Sequence, residues 1–246
     1  VKSAPAPLQR THDGSADRLT STLLGLSVAL AALLYFVPEI DLAASRALAD
    51  GSHGFPLAHD ERLYLLNRIV NWIARVGTIA LLLAAFFSWT AAAPRARALR
   101  WLRDRRRELL YLVAVAALGP GLTVNVLLKE HGGRARPVQI EQFGGSKRFT
   151  RAFEITDQCQ HNCAFPSGHV AAAAFPVVGY FLARGRRARR AWLAGGLAGG
   201  VTIGLARMLT GSHYLSDVVF SILIVFAVAA LCAVTILRSR AQPAPA

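Results

Sequence analysis

Residues 218–237 read VVFSILIVFAVAALCAVTIL, a run without a single charge. A bilayer core of about 30 Å takes about 20 apolar helical residues. A backbone in lipid must also satisfy its own hydrogen bonds, so this stretch reads as a membrane-spanning helix. Working outward toward the N-terminus, similar apolar runs occupy residues 19–37, 69–93, 109–128, 167–183 and 191–210. The expected fold is therefore all-α: a polytopic membrane protein with six transmembrane helices in a bundle, spanning 19–237. Composition agrees, since 54% hydrophobic and 17% charged residues in a chain of 246 are too apolar for a water-soluble globule. Three cysteines exclude a small disulfide-stapled secreted domain.

The net charge of +14 comes mostly from Arg-rich bursts between the apolar runs, a pattern that suits an anionic membrane leaflet and gives no reason to expect a nucleic-acid partner. Lys and Arg in short loops are retained on the cytoplasmic side. With six spans, seventeen basic residues fall on one side of the membrane and nine on the other. The larger set places both termini in the cytoplasm, and the protein in a bacterial inner membrane. Residues 1–18 are expected to be a disordered cytoplasmic N-terminus, the run at 19–37 an uncleaved helix, and 238–246 a cytoplasmic tail.

Three polar clusters abut span ends on the opposite, less basic side. Lys129 is followed by six residues and then Arg136-Pro137; Pro166-Ser167-Gly168-His169 opens the fourth span; Arg207, His213 and Asp217 run from the fifth span into the sixth. Singly, each has an ordinary reading. Lys129 and Arg136 could be interfacial anchors, Pro-Ser-Gly a helix start, and His213 with Asp217 a structural i,i+4 pair. Together they supply what phosphoryl transfer demands. Lys129, Arg136 and Arg207 bring three cations, two with the planar fork that matches phosphate oxygens. The helix start offers the amides of Ser167, Gly168 and His169 at a positive dipole end, with Gly168 permitting close backbone approach. Two imidazoles can divide the work of nucleophile and acid, and Asp217 can fix the His213 tautomer.

In order and spacing, these clusters resemble the signature of the type 2 phosphatidic acid phosphatase superfamily. That resemblance implies a six-helix core in which His213 attacks phosphorus, Asp217 orients it and His169 protonates the leaving group. Lys129, Arg136, Ser167, Gly168 and Arg207 would bind the phosphate, without any metal or other cofactor. One position departs from the pattern: Ala206 stands where the family usually carries Ser. The missing hydroxyl removes one hydrogen bond, worth about 0.5–1.5 kcal/mol.

The segment between the first two clusters is similar to that of lipid A phosphatases. It carries Lys147, Arg148 and Arg151, which either bind a second anionic headgroup or anchor the loop at the interface. Cys159 and Cys163 are expected to pair in an oxidising compartment; a zinc site with His161 and His131 is the poorer alternative because its ligand spacing is wrong. Gly195, Gly196, Gly199, Gly200 and Gly204 read as a close-packing face, Gly119-Pro120-Gly121 as a kink, Cys232 as packing, and residues 38–67 as containing an interfacial helix beside the site. The favoured function is a lipid phosphatase, with lipid A as substrate, working through a phosphohistidine at the periplasmic face. The rivals are an undecaprenyl diphosphate phosphatase, a phosphotransferase, and a catalytically idle scaffold or transport-related protein. The oligomeric state is left open.

Overall fold

The computed structural model describes residues 14–90 and 96–237, the side chains of 14–17 and 52 excepted. Of the stretch 1–18 expected to be disordered, residues 1–13 lie outside the described residues and the rest begin a helix. The expected tail, 238–246, lies outside them too. Among the described residues the chain is helical, with one isolated bridge between Ile140 and Lys147.

Helix α1 (Gly14–Phe36) stops ahead of Pro38. The short α2 (Glu39–Arg46) follows with Glu39 and Asp41 in its first turn and Arg46 in its last, an arrangement that complements the helix dipole. It lies in the segment expected to hold an interfacial helix. The Asp60 carboxylate accepts the Leu63 N–H at 2.9 Å and so caps α3 (Glu61–Thr90). The second apolar helix thus begins well before residue 69; at 30 residues it is about 45 Å long and overreaches the bilayer core. Next comes α4 (Arg97–Asp104), a helical turn within what the sequence suggests is a basic loop. Arg105 stacks on Trp101 at 4.6 Å, as interfacial Arg and Trp do.

Helix α5 (Arg106–His131) widens to π-helical bonding over Ala117–Leu128, around the expected kink. Pro120 has no N–H to donate, and the Thr123 hydroxyl and Asn125 amide reach back to the carbonyls of Leu118 and Pro120, each at 2.7 Å. Helices α6 (Gly168–Leu182), α7 (Arg186–Leu209) and α8 (Leu215–Leu237) complete the chain.

Among the described residues, five helices are long and apolar enough to cross a membrane: α3, α5, α7, α8 and the Arg18–Phe36 part of α1. The expected span at 167–183 is different. It is the shorter α6, about 22 Å by helical rise, interrupted by a 3₁₀ turn at Phe175–Val178 where Pro176 again lacks a donor. Val170, Ala171, Ala174 and Val177 on α6 are buried. A helix enclosed by protein need not match the lipid thickness.

The glycines of α7 explain how α6 is enclosed. A Cβ at Gly196 would lie 2.6 Å from the Val177 nitrogen, one at Gly199 2.6 Å from the Ala173 carbonyl, and one at Gly200 2.9 Å from Ile222, while Gly204 abuts Val218. Gly195 faces open space and belongs to no such contact. Cys232 packs with Tyr111, Val115 and Val178.

Candidate active site

The three polar clusters meet. Lys129 lies in the last turn of α5, His169 in the first turn of α6, Arg207 in the last turn of α7, and Asp217 in the first turn of α8. Lys129 interacts electrostatically with Arg136, Arg207 and Asp217, and His169 with Arg207, His213, Lys129 and Arg136. These groups therefore share one locale, although they come from segments more than 80 residues apart in sequence. Lys129 is 8% exposed and His213 1%, unusual for charged and imidazole side chains without a shared purpose.

The His213 imidazole points Nδ1 at Asp217 Oδ2, 3.4 Å away. The same oxygen accepts the Tyr214 N–H at 2.8 Å, closing the N-terminal turn of α8. That leaves Nε2 of His213 for chemistry. Burial lowers the His213 pKa to about 4, against the opposing pull of Asp217. The ring is therefore neutral at physiological pH, with a lone pair available.

Ser167 caps α6. Its hydroxyl oxygen is buried and, like Arg207 Nε, has no hydrogen-bond partner among the described residues. One expectation fails here: the Ser167 N–H is not free for an anion, because it donates to Ser221 Oγ at 2.8 Å, and that hydroxyl donates to the Asp217 carbonyl at 2.6 Å. This link ties the start of α6 to α8. At Gly168 the room left by a missing Cβ is taken by the Asn125 side-chain oxygen, 2.5 Å away, so the glycine admits α5. Arg136 donates through Nη2 to the Asn162 carbonyl at 2.8 Å. Asn162 belongs to the loop that the Cys159–Cys163 disulfide closes. The bond uses both thiols on which the zinc alternative depends, and His131 Nδ1 faces the carbonyls of Val126 and Leu127. Lys147, Arg148 and Arg151 are exposed on the loop before it, Arg151 lying 3.6 Å from Glu154. Ala206 is buried within α7.

Sequence reasoning missed four residues that hold the site together. Arg134, 1% exposed, donates to Asp217 Oδ1 at 2.6 Å, Asp41 Oδ2 at 2.8 Å, Ser216 Oγ at 2.9 Å and the Thr150 carbonyl at 2.8 Å. Burial opposes its charge, but Asp217 and Asp41 outweigh that and raise its pKa. Asp41 accepts the Ser216 N–H at 2.7 Å as well as the Ser216 hydroxyl. Its carboxyl is raised by burial, with Arg134 pulling the other way. The fourth residue is Ser221. Arg134 could have been suspected from its place between Lys129 and Arg136; Asp41, Ser216 and Ser221 carry no such signal.

Fold and site define a polytopic helical membrane protein with a cluster of cations, Lys129 buried and Arg136 and Arg207 partly so, beside a His–Asp pair. The chain belongs to the PAP2 superfamily, which its residues 108–241 match. It is 34% identical over 206 residues to the lipid A 4'-phosphatase of Francisella tularensis subsp. novicida, covering 80% of this chain and 87% of that protein. It is 39% identical over 135 residues to the lipid A 4'-phosphatases of Rhizobium leguminosarum and Rhizobium etli, covering 54% of this chain and 57% and 51% of theirs. No solved structure matches.

Proposed function

We propose that this protein is a lipid phosphatase that removes a phosphate from lipid A through a phosphohistidine intermediate. The observation that carries the reading is the meeting of Lys129, Arg136 and Arg207 with His169 and the His213–Asp217 pair. The lipid A 4'-phosphatases it resembles favour lipid A as substrate and its 4'-phosphate as the group removed.

In this reading the three cations and the Ser167 hydroxyl grip the nonbridging phosphate oxygens. His213 Nε2 gives its lone pair to phosphorus as the P–O ester bond breaks. The leaving oxygen takes a proton from His169. The imidazole is now bonded to phosphorus and positively charged, and Asp217 stabilises it through the Nδ1 proton. His169, having lost its proton, accepts one from water as the water oxygen attacks phosphorus and the N–P bond breaks. Phosphate leaves and His213 returns neutral. Nothing in the sequence requires a metal or other cofactor.

The site groups all lie at one set of helix ends. Arg106 opens α5 and Arg186 opens α7, so the Arg-rich stretches stand at the opposite ends of the same helices. Positive residues retained in the cytoplasm then put the site at the periplasmic face of the inner membrane, with both termini inside. This topology requires the short α6 to count as the sixth crossing of a bundle over 19–237, enclosed by α5, α7 and α8. Lys147, Arg148 and Arg151 extend from the same face and are placed to meet a second anionic group of the headgroup.

The test is phosphate release by purified protein, with chelator present, over lipid A, undecaprenyl diphosphate and phosphatidic acid. Lipid A should be turned over fastest. His213→Ala should abolish release, and persistence of activity in that variant would refute the nucleophile assignment. Orthovanadate binding without turnover of any lipid would favour an idle scaffold.

A further inference from the structure

Asp217 cannot be understood without the group behind it. Its Oδ2 faces His213 and the Tyr214 N–H, while Oδ1 is held by Arg134. An arginine bound to Asp217 alone would cancel its charge and leave His213 beside a neutral pair. Here the guanidinium is shared. Its other arm reaches Asp41, and its face lies on the Tyr214 ring at 4.1 Å. Asp41, Arg134 and Asp217 are each no more than 1% exposed. Three donors reach Asp41, two of them from Ser216 at the start of α8, and they oppose the burial that raises its carboxyl.

The charges then sum usefully. Two carboxylates and one guanidinium leave one negative charge behind His213, the complement of the positive charge that the ring acquires on bonding to phosphorus. In a buried site such a balance acts strongly, because little water screens it. The residue that completes it comes from α2, outside the 108–241 region that matches the superfamily.

We infer that Asp41 is a positioning residue for phosphoryl transfer: by engaging Arg134 and Ser216 it leaves Asp217 with the charge that His213 needs in the transition state. This rests on the phosphohistidine reading. Asp41 bonds to Arg134 and Ser216, and no bond joins it to His213 or to the phosphate-binding cations among the described residues.

The experiment measures kcat and KM for phosphate release from lipid A by the full chain in detergent, comparing Asp41→Asn, Asp41→Glu and the double variant Asp41→Asn/Arg134→Gln. Asp41→Asn should lower kcat about 10- to 100-fold with KM within about twofold, the loss expected of a charge-assisted link. Asp41→Glu should recover part of it. The double variant, which restores one net negative charge, should exceed Asp41→Asn in kcat, whereas a purely structural role would make it worse. A kcat for Asp41→Asn within about threefold of wild type, a change confined to KM, or a double variant below the single one overturns the inference. Should thermal melts show the Asp41 variants unfolded, Ser216→Ala removes the hydroxyl that joins Arg134 to Asp41 without altering charge, while the direct Arg134–Asp41 pair and the Ser216 N–H bond remain. It should lower kcat a few-fold at constant KM, and an unchanged kcat overturns the inference. His213→Ala is assayed alongside: retained release in that variant refutes the phosphohistidine reading, independently of the Asp41 results.

Discussion

The substitution Asp217→Asn keeps the shape of the side chain and changes only what its two terminal atoms offer. In the wild type both are acceptors: Oδ1 takes the Arg134 N–H at 2.6 Å, and Oδ2 takes the Tyr214 N–H at 2.8 Å and faces His213 Nδ1 at 3.4 Å. An asparagine has one acceptor and one donor, so either orientation sets N–H against N–H somewhere. Arg134 binds the more tightly and should claim the oxygen, which turns the amide NH₂ toward Tyr214 and His213. His213 then accepts at Nδ1 and carries its proton on Nε2, the tautomer that has no lone pair for phosphorus. Loss of the correct tautomer with geometry preserved costs about 10⁴-fold in kcat in a comparable Ser-His-Asp site. Loss of the charge-assisted bond adds about 1.5–3 kcal/mol of destabilisation. Phosphate release measures the first effect, a thermal melt the second, and the ¹⁵N spectrum of the histidines identifies the tautomer directly. A kcat within about tenfold of wild type, or an unchanged tautomer, would sink the assignment of Asp217.

In NMR titration His213 should have a midpoint near pH 4, against about 6.5 for a free imidazole. The unfolded chain binds this proton more readily, so stability supported above pH 6.5 should decline as pH falls toward 4; a midpoint at 6.5 or higher contradicts the burial argument. Gly196→Ala forces a methyl to within 2.6 Å of the Val177 nitrogen and should cost about 1–3 kcal/mol in a melt, while Gly195→Ala, facing open space, should cost little; equal effects would discredit the packing account. Cys163→Ser opens the loop whose Asn162 carbonyl holds Arg136, and should raise KM about 3- to 10-fold with kcat retained; an unchanged KM would mean that Arg136 needs no such support. In intact spheroplasts Ser146→Cys should react with a membrane-impermeant maleimide and Arg187→Cys should not; the reverse pattern would invert the proposed topology.

Much of this fold is legible because lipid imposes a simple rule on composition. The uncharged run at 218–237 announces itself, and so do the long apolar stretches in α3 and α5. Helix α6 was harder, since apolar length alone does not distinguish a helix facing lipid from one enclosed by protein; the glycines that enclose it lie on α7. The site divides the same way. Lys129, Arg136, His169, Arg207, His213 and Asp217 stand at spacings that suggest their chemistry. Asp41 has no local pattern, because its meaning depends on a buried arginine 93 positions away. The bond at the Ser167 amide is hidden from the sequence for the same reason: a helix start normally has free N–H groups, and only the fold brings Ser221 to one of them.

In the proposed reaction His213 stands between two unlike clusters. Burial, with a smaller push from Arg207 and Lys129, keeps a proton off the ring, so the nucleophile has its lone pair before substrate arrives. A bound phosphate brings negative charge to those same cations and weakens their opposition to a positive ring. Behind the ring, Asp217, Arg134 and Asp41 hold a fixed excess of one negative charge that substrate does not alter. The ring is thus favoured neutral when the pocket holds no anion and favoured positive once phosphorus is bound. Neither cluster alone gives both preferences: the cations without the carboxylates would strand the intermediate, and the carboxylates without the cations would leave burial alone to keep the ring unprotonated.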